Sequence, residues 1–152
     1  MTIYFLNSKE KKEIECKLLE QFGISKLPDI IVQIGKERLR LFTGDFTEKE
    51  LEKLSRITHI EGIGLYIARQ ENDEIRLSIE GSQLLSSQIT KNIFELNELQ
   101  LKQWMQGADL QIQNQERGIF IISYNNDFLG SGKLSEQKIS NFIPKGRRIK
   151  PN

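Results

Sequence analysis

The sequence predicts an α+β protein in which a mixed α/β half is followed by a half built mostly of short strands. Strand-like and helix-like apolar patterns alternate at first, helical signals then shrink to two short pieces, and glycines begin to recur between apolar runs. Short strands with glycine at their corners are typical of a small closed or nearly closed sheet. We place the junction near Arg76, so the predicted domains are residues 1–76 and 77–152.

The first half opens with a predicted strand from Thr2 to Leu6 and a helix directly after it. Asn7 and Glu10 have the spacing of a capping box, in which each residue's side chain binds the other's backbone N–H. Gly23 is placed to end the helix in the left-handed conformation. The apolar stripe between these signals consists of Ile14, Leu18 and Phe22.

Two β-rich runs, Asp29 to Ile34 and Arg38 to Phe42, are joined through Gly35 and predict a hairpin. Leucines alternate with Arg38 and Arg40 along the second run. Because successive side chains of a strand point to opposite faces, this strand has one apolar and one basic face.

A second capping box, Thr47 with Glu50, opens a helix whose apolar residues are Leu51 and Leu54. The following Gly62-Ile63-Gly64 lacks the third glycine and the helix of a nucleotide-binding loop, so we interpret it as a turn or bulge. Two more strands are predicted before the second half, over Leu65 to Arg69 and Ile75 to Ile79.

The second half carries its helical signals in Ser82 to Ile89 and in the segment after Asn97. Its three predicted strands are Leu110 to Gln113, Gly118 to Ser123 and Phe128 to Leu134. The middle strand contains four consecutive apolar residues, from Ile119 to Ile122. Such a run is expected of a central strand that is covered on both faces.

Catalytic and metal-binding motifs are absent from the sequence. His59 is the only histidine and Cys16 the only cysteine, so neither a zinc cluster nor an internal disulfide is expected. We interpret Cys16 as a surface thiol and His59 as a helix-capping or surface residue, and we expect a non-enzymatic chain without a cofactor. No apolar stretch approaches the roughly 20 residues that cross a bilayer, and the N-terminus lacks a signal-peptide pattern, which predicts a cytoplasmic protein.

The charge distribution is more informative than the net charge of +1. Between Lys133 and Asn152 six lysines and arginines are opposed by a single acid, Glu136. A short basic cluster of this kind is usually a solvated tail. It is also the pattern that neutralises the phosphates of a nucleic acid, and the charge alone is compatible with both interpretations.

Three segments of the second half resemble the strands and corners of PUA domains, the RNA-binding modules of pseudouridine synthases and archaeosine transglycosylases. They are Trp104 to Leu110, Tyr124 to Lys133 and Ile139 to Arg148. The later segments are similar to proteins of ribosome biogenesis in which a small α/β pre-PUA domain precedes the PUA domain. They are also similar to the PUA-like domain of some RNA cytosine methyltransferases.

The resemblance implies an RNA-binding protein, with structured RNA such as rRNA as its ligand. Pro144 fixes the backbone where the chain leaves the sheet, and the cations that follow are placed to hold phosphates. The candidate RNA-binding residues are Lys145, Arg147, Arg148, Lys150, Lys133, Gly107 and Tyr124.

Two functions are compatible with this pattern. The leading hypothesis is an rRNA-binding ribosome-biogenesis or adaptor factor, whose N-terminal domain contacts a protein partner. The alternative is a non-catalytic subunit that targets an RNA-modifying enzyme to its substrate.

Overall fold

A computed structural model describes residues 3–28, 30–60 and 62–152, and in these residues the chain forms two five-stranded sheets. The strands of the first sheet are β1 (Ile3–Phe5), β2 (Ile30–Ile34), β3 (Arg38–Phe42), β4 (Leu65–Glu71) and β5 (Glu74–Leu77). They pair antiparallel in sequence order, which confirms the predicted β2–β3 hairpin. The predicted strand residues Thr2 and Asp29 lie outside the described part of the chain.

Helix α1 (Ser8–Phe22) begins at the predicted capping box. The Glu10 backbone N–H donates to Asn7 Oδ1 at 2.9 Å, and the Asn7 N–H donates to the Glu10 carboxylate at 2.8 Å. Gly23 ends the helix at a φ of 81°, as expected. The predicted stripe is buried against Leu39 and Leu41 of β3, so the apolar face of that strand is also confirmed.

Helix α2 (Glu48–Ile57) covers part of the opposite face of the first sheet. Its capping box is present, and Leu51 packs with Val32 and Ile63. Leu54 differs from Leu51 in that it stays 37% exposed. A helix of this length on a sheet edge buries a narrow stripe, and Leu54 lies beside it.

The second sheet is curled around its own core and has the strand order β6-β8-β9-β10-β7. These strands are β6 (Ile93–Glu95), β7 (Leu110–Gln111), β8 (Gly118–Tyr124), β9 (Asp127–Leu134) and β10 (Lys138–Asn141). The strands predicted at 118 and 128 are confirmed. The sequence did not predict β6, which pairs parallel with β8.

Two helices accompany this sheet, α3 (Ile79–Leu84) and α4 (Glu98–Met105). Helix α3 begins three residues before the predicted Ser82, because the Ser78 hydroxyl accepts from the Gly81 N–H and caps it. The rest of that predicted segment forms a 3₁₀ turn, Ser86–Gln88. Among the described residues, no helix is long and apolar enough to cross a membrane.

Strand β8 is buried on both faces, as its four consecutive apolar residues predicted. Phe120 and Ile122 pack into the core of the second sheet with Trp104. Ile119 and Ile121 instead join the core that α1 forms with the first sheet. The two sheets therefore share apolar core, and the domain division near Arg76 stays a prediction.

Polar contacts also connect the two sheets. The Leu77 N–H of β5 donates to Ser131 Oγ of β9 at 2.9 Å, and the Gly130 N–H donates to Ser82 Oγ of α3 at 3.0 Å. Helix α3 also lies very close to β4, since a Cβ added at Gly81 would be 2.1 Å from the Ile67 carbonyl oxygen. This position therefore accepts only glycine without a shift of backbone.

Gly81→Ala should lower the free energy of unfolding by about 1–3 kcal/mol, the usual range for overpacking. Alanine's better helix propensity, about 1 kcal/mol, opposes this loss but is the smaller effect. Urea unfolding followed by Trp104 fluorescence measures the change. Gly62→Ala is the control, because a Cβ there meets nothing within 4 Å. A Gly81→Ala protein as stable as the parent would contradict the close approach of α3 to β4.

Candidate nucleic-acid interface

The corner between α4 and β7 is organised by Asn141 at the end of β10. Its Nδ2 donates to the carbonyls of Trp104 at 2.8 Å and Ala108 at 3.0 Å. Its backbone N–H donates to Asp109 Oδ1 at 2.8 Å. Asp109 thus orients backbone, and the segment after β10 leaves the sheet next to the end of α4.

The C-terminal tail, residues 144–152, turns back onto this corner. Pro144, with a φ of −59°, leads into a 3₁₀ turn, Lys145–Arg147. Arg148 Nε donates to the Ile143 carbonyl at 3.0 Å, and the Ile149 N–H donates to the Met105 carbonyl at 2.8 Å. These bonds hold the tail against the C-terminal end of α4, where carbonyl dipoles favour positive charge.

Arg148 lies directly over Gly107. Gly107 has a φ of 87°, and a Cβ built on it would be 2.3 Å from Arg148 Nε. Gly107 is one of the candidate RNA-binding residues of the sequence, and a glycine there could bind RNA only by letting its backbone approach the protein backbone closely. The structure fills that space with the Arg148 side chain, so a ligand would meet Arg148 first.

The other tail cations differ in how they are paired. Arg147 Nη2 forms an ion pair with Glu80 of α3 at 2.6 Å. Lys145 and Lys150 are exposed, and neither has an ion pair with any residue that the structure describes. The tail therefore presents two open lysines beside one neutralised arginine.

Lys133 and Tyr124 form no hydrogen bond or ion pair with the tail cations among the residues that the structure describes. Lys133 forms an ion pair with Glu74 at 3.4 Å, and it is opposite Ile119 in the β8–β9 ladder. Tyr124 is half-buried at the other end of that ladder, roughly 16 Å along the strand at about 3.3 Å per residue. The structure thus brings Gly107 together with Arg148 of the tail, and it places Lys133 and Tyr124 at opposite ends of the β8–β9 ladder.

A second basic feature, which the sequence did not predict as a site, is a cleft of about 410 Å³ between the two sheets. We call it the arginine cleft. One wall is the basic face of the first sheet, and the other wall comes from residues 129–131 and 142–144. The charged residues that line it are all arginines, namely Arg38, Arg40, Arg69 and Arg76.

Strand register places these arginines together. Arg38 is opposite Arg69, and Arg69 is opposite Arg76, so one cross-strand row runs over β3, β4 and β5. Arg40 is opposite Tyr66 in the adjacent row. Like charges in a row repel each other, so the row needs either nearby acids or a bound anion.

Two glutamates offset part of the charge at the rim. Arg69 Nε donates to Glu37 at 2.8 Å, and this hydrogen bond raises the pKa of Arg69. Glu71 lies 3.3 Å from Arg76 Nη1. Arg38 is exposed and has no ion pair within the described residues.

Two aromatic rings line the cleft. Burial raises the pKa of the Tyr66 phenol above its ordinary value, and the surrounding arginines lower it in part, so the hydroxyl is a neutral hydrogen-bond donor at neutral pH. The Arg76 guanidinium lies 3.8 Å from the centre of the Phe142 ring. Arg76 Nε is buried and has no hydrogen-bond partner in the described part of the protein.

The alternation of Arg38 and Arg40 with leucines was the sequence signal for this cleft. It predicted a basic strand face, which is confirmed. Arg69 and Arg76 come from other strands, and Phe142 comes from the second half, so only register and packing bring them together.

Cys16, interpreted as a surface thiol, and His59, interpreted as a capping or surface residue, are both exposed. Within residues 3–28, 30–60 and 62–152, no group of three or more His, Cys, Asp or Glu side chains is arranged to hold a metal ion.

Comparison with known proteins shows a similarity for the part of the chain that contains the second sheet. The family model described as the PUA domain of methyltransferase RsmF matches residues 91–149. This region forms a PUA-type domain. The PUA part of the predicted fold is thereby confirmed, while the pre-PUA assignment of the first half stays a prediction.

Relatives extend the similarity beyond the PUA-type domain. Ribosomal RNA small subunit methyltransferase F of Vibrio cholerae (strain M66-2) is 27% identical over 138 residues, which is 90% of this chain. The enzyme of the same name from Shewanella oneidensis (strain MR-1) is 26% identical over 139 residues. This chain spans only about 28% of the length of these relatives.

A solved structure shares the fold of both halves. The crystal structure of a hypothetical protein from the hyperthermophilic archaeon Pyrococcus horikoshii OT3 has a TM-score of 0.58 and 13% sequence identity. The similarity covers 92% of this chain and 93% of that chain. The two-sheet arrangement therefore occurs in a second protein.

The packing of Arg148 on Gly107 can be tested by a double-mutant cycle. Gly107→Ala should destabilise the protein by about 1–2 kcal/mol from the left-handed backbone, with a further loss from displacing Arg148. In an Arg148→Ala background only the backbone effect remains, so the two changes should not be additive. Urea unfolding measures the four proteins, with Gly146→Ala as a near-neutral control because a Cβ there meets nothing within 4 Å. Strict additivity would show that Arg148 does not lie over Gly107.

Proposed function

We propose that this chain binds ribosomal RNA and directs an RNA methyltransferase activity, carried by another polypeptide segment, to its substrate. The observation that carries the proposal is the PUA-type domain, related to that of an rRNA methyltransferase, with a basic tail bound to its α4 corner. The tail is where we expect RNA phosphates to bind.

The chemistry of the tail suits phosphate binding. Arginine presents a planar fork of donors that matches two phosphate oxygens, and lysine adds a compact positive charge. Lys145 and Lys150 are open to solvent, whereas Arg147 must leave Glu80 to bind a phosphate. Such contacts supply most nucleic-acid affinity without reading base sequence.

Catalysis belongs to another polypeptide segment in this proposal. The chain corresponds to about 28% of the length of the methyltransferases it resembles, which leaves the larger part of those enzymes without a counterpart here. We propose that this chain has no catalytic residue and no cofactor of its own, and that it acts in the cytoplasm.

A protein partner is part of the same proposal. Several apolar side chains around α2 stay exposed on the first half, among them Phe46 (53%), Ile57 (81%) and Leu65 (42%). They are the surface on which we expect a catalytic partner to bind.

A ribosome-biogenesis or adaptor role without a methyltransferase is the second candidate. It rests on the same RNA-binding features. Sequencing of co-purified RNA, with identification of co-purified proteins, separates the two. Pre-ribosomal RNA without a methyltransferase favours the biogenesis role, and rRNA together with a methyltransferase favours the targeting role.

Replacing the two tail arginines, Arg147→Ala with Arg148→Ala, should weaken RNA binding and reduce its salt dependence. Removing one phosphate-binding cation lowers the log–log slope of affinity against salt by about 0.7 to 0.9, so removing two lowers it by about 1.4 to 1.8. The effect should be similar for RNAs of different sequence, because phosphate contacts do not read bases. Fluorescence anisotropy over a salt series measures affinity and slope.

The matched control is Lys9→Ala with Lys12→Ala, two exposed cations of α1. It should leave affinity and slope unchanged. Arg147→Lys then separates charge from geometry, because lysine keeps the charge and loses the bidentate fork. If the folded double-arginine variant binds RNA as tightly as the parent at every salt concentration, the tail is only a solvated extension and the proposal fails.

A further inference from the structure

We propose that the arginine cleft binds one unstacked nucleotide of a single-stranded RNA segment, and that this segment continues onto the C-terminal tail. The inference rests on the proposed function, since it assumes that the ligand is RNA. It adds a second binding site, on the first sheet, and it specifies that the RNA there is unpaired.

The charge of the cleft fits a phosphate backbone. Its charged lining consists of four arginines, and the two nearby glutamates bind Arg69 and Arg76 from the rim. Arg38 is left without an ion pair in the described residues, and it faces solvent. This guanidinium is therefore the one most available to a phosphate.

The aromatic lining fits a base. Single-stranded RNA is recognised by splaying out bases and stacking them on aromatic rings or on guanidinium planes. The cleft offers the Tyr66 ring, and it offers the Arg76 guanidinium already packed 3.8 Å from the Phe142 ring. A cleft lined by arginines alone could bind any polyanion. The aromatic rings favour a ligand that also has a planar group to stack, such as a nucleic-acid base.

An unsatisfied hydrogen-bond donor points to the same ligand. Buried N–H groups in proteins are nearly always paired, yet Arg76 Nε has no acceptor in the described part of the chain. Arg76 lines the cleft, so a small shift of its side chain on binding would let a base carbonyl or a phosphate oxygen accept from Nε. Tyr66 lines the same cleft, and its hydroxyl offers a second donor to such a ligand.

The size and position of the cleft limit the RNA to a single strand. A volume of about 410 Å³ lies within the range of small-ligand sites, and a paired base in an A-form helix cannot enter such a concavity. Residues 142–144 line the cleft, and the tail cations begin at Lys145. A strand leaving the cleft therefore meets the tail next.

The test uses two RNA probes and two matched pairs of variants of the full chain. The probes are a labelled oligouridylate of about ten nucleotides, within the usual site sizes for single strands, and the same strand annealed into a duplex. Tyr66→Leu removes the ring and keeps an apolar side chain, with Tyr4→Leu on the exposed edge strand as its control. Arg38→Ala removes the open cation, with Lys36→Ala in the adjacent hairpin turn as its control.

Tyr66→Leu should weaken binding of the single strand by about 5-fold to 150-fold, the range for removing one base–aromatic stack, and leave duplex binding within about 2-fold. Arg38→Ala should weaken the single strand and lower its salt slope by about 0.7. Both controls should bind like the parent. Because Arg38 is exposed and has no ion pair in the described residues, its variant tests the cleft even if Tyr66→Leu fails to fold.

Three outcomes would overturn the inference. If the cleft variants bind the single strand like the parent while the tail variants lose affinity, the cleft is not a site and the proposed function survives. If Lys36→Ala weakens binding as much as Arg38→Ala, the RNA is attracted by the overall positive charge of this region and not by the cleft. If a poly-glutamate peptide binds as tightly as the oligouridylate and depends on both Arg38 and Tyr66, the cleft is a peptide site. Failure of the proposed function is distinct, because neither probe would then bind the parent chain.

Discussion

Strand β8 carries large apolar side chains on both faces, and most of the architecture follows from the need to cover both. The second sheet covers one face with its own core around Trp104. The first half of the chain covers the other face, where Ile119 and Ile121 join α1 and the first sheet. Each fully buried side chain of this size contributes about 1.5–3 kcal/mol, so exposing that face would remove a large part of the stability of an ordinary domain.

This shared core determines where the charged residues lie. Because β5 of the first sheet lies against β9 of the second, the basic strand face beside β5 is brought to the segment that leaves β10. That segment supplies Phe142 to the arginine cleft and then becomes the cationic tail. The last residues that line the cleft, 142–144, are thus followed directly by the tail cations, and under our proposal one nucleic-acid strand contacts both.

Local signals predicted the elements well, and long-range pairing explains what they missed. The signals for the capping boxes at Asn7 and Thr47, for the left-handed Gly23 and for the apolar run of β8 each lie within a few consecutive residues. Strand β6 has only three residues and is defined by its parallel pairing with β8. Three residues are too few to show an alternating apolar pattern in the sequence. The arginine cleft depends on the register of three strands and on a residue from the other half. The packing of Arg148 on Gly107 depends in the same way on the tail folding back against the C-terminal end of α4.

We propose that both halves form one RNA-binding surface, and an NMR titration tests this most directly. The side-chain Nε–Hε signals of the arginines in the cleft and the tail would be followed while a single-stranded oligouridylate is added. We predict that signals of Arg38 and Arg76 shift together with those of Arg147 and Arg148, in one saturable process with one Kd. Shifts confined to the tail, or two processes with different Kd values, would contradict the claim.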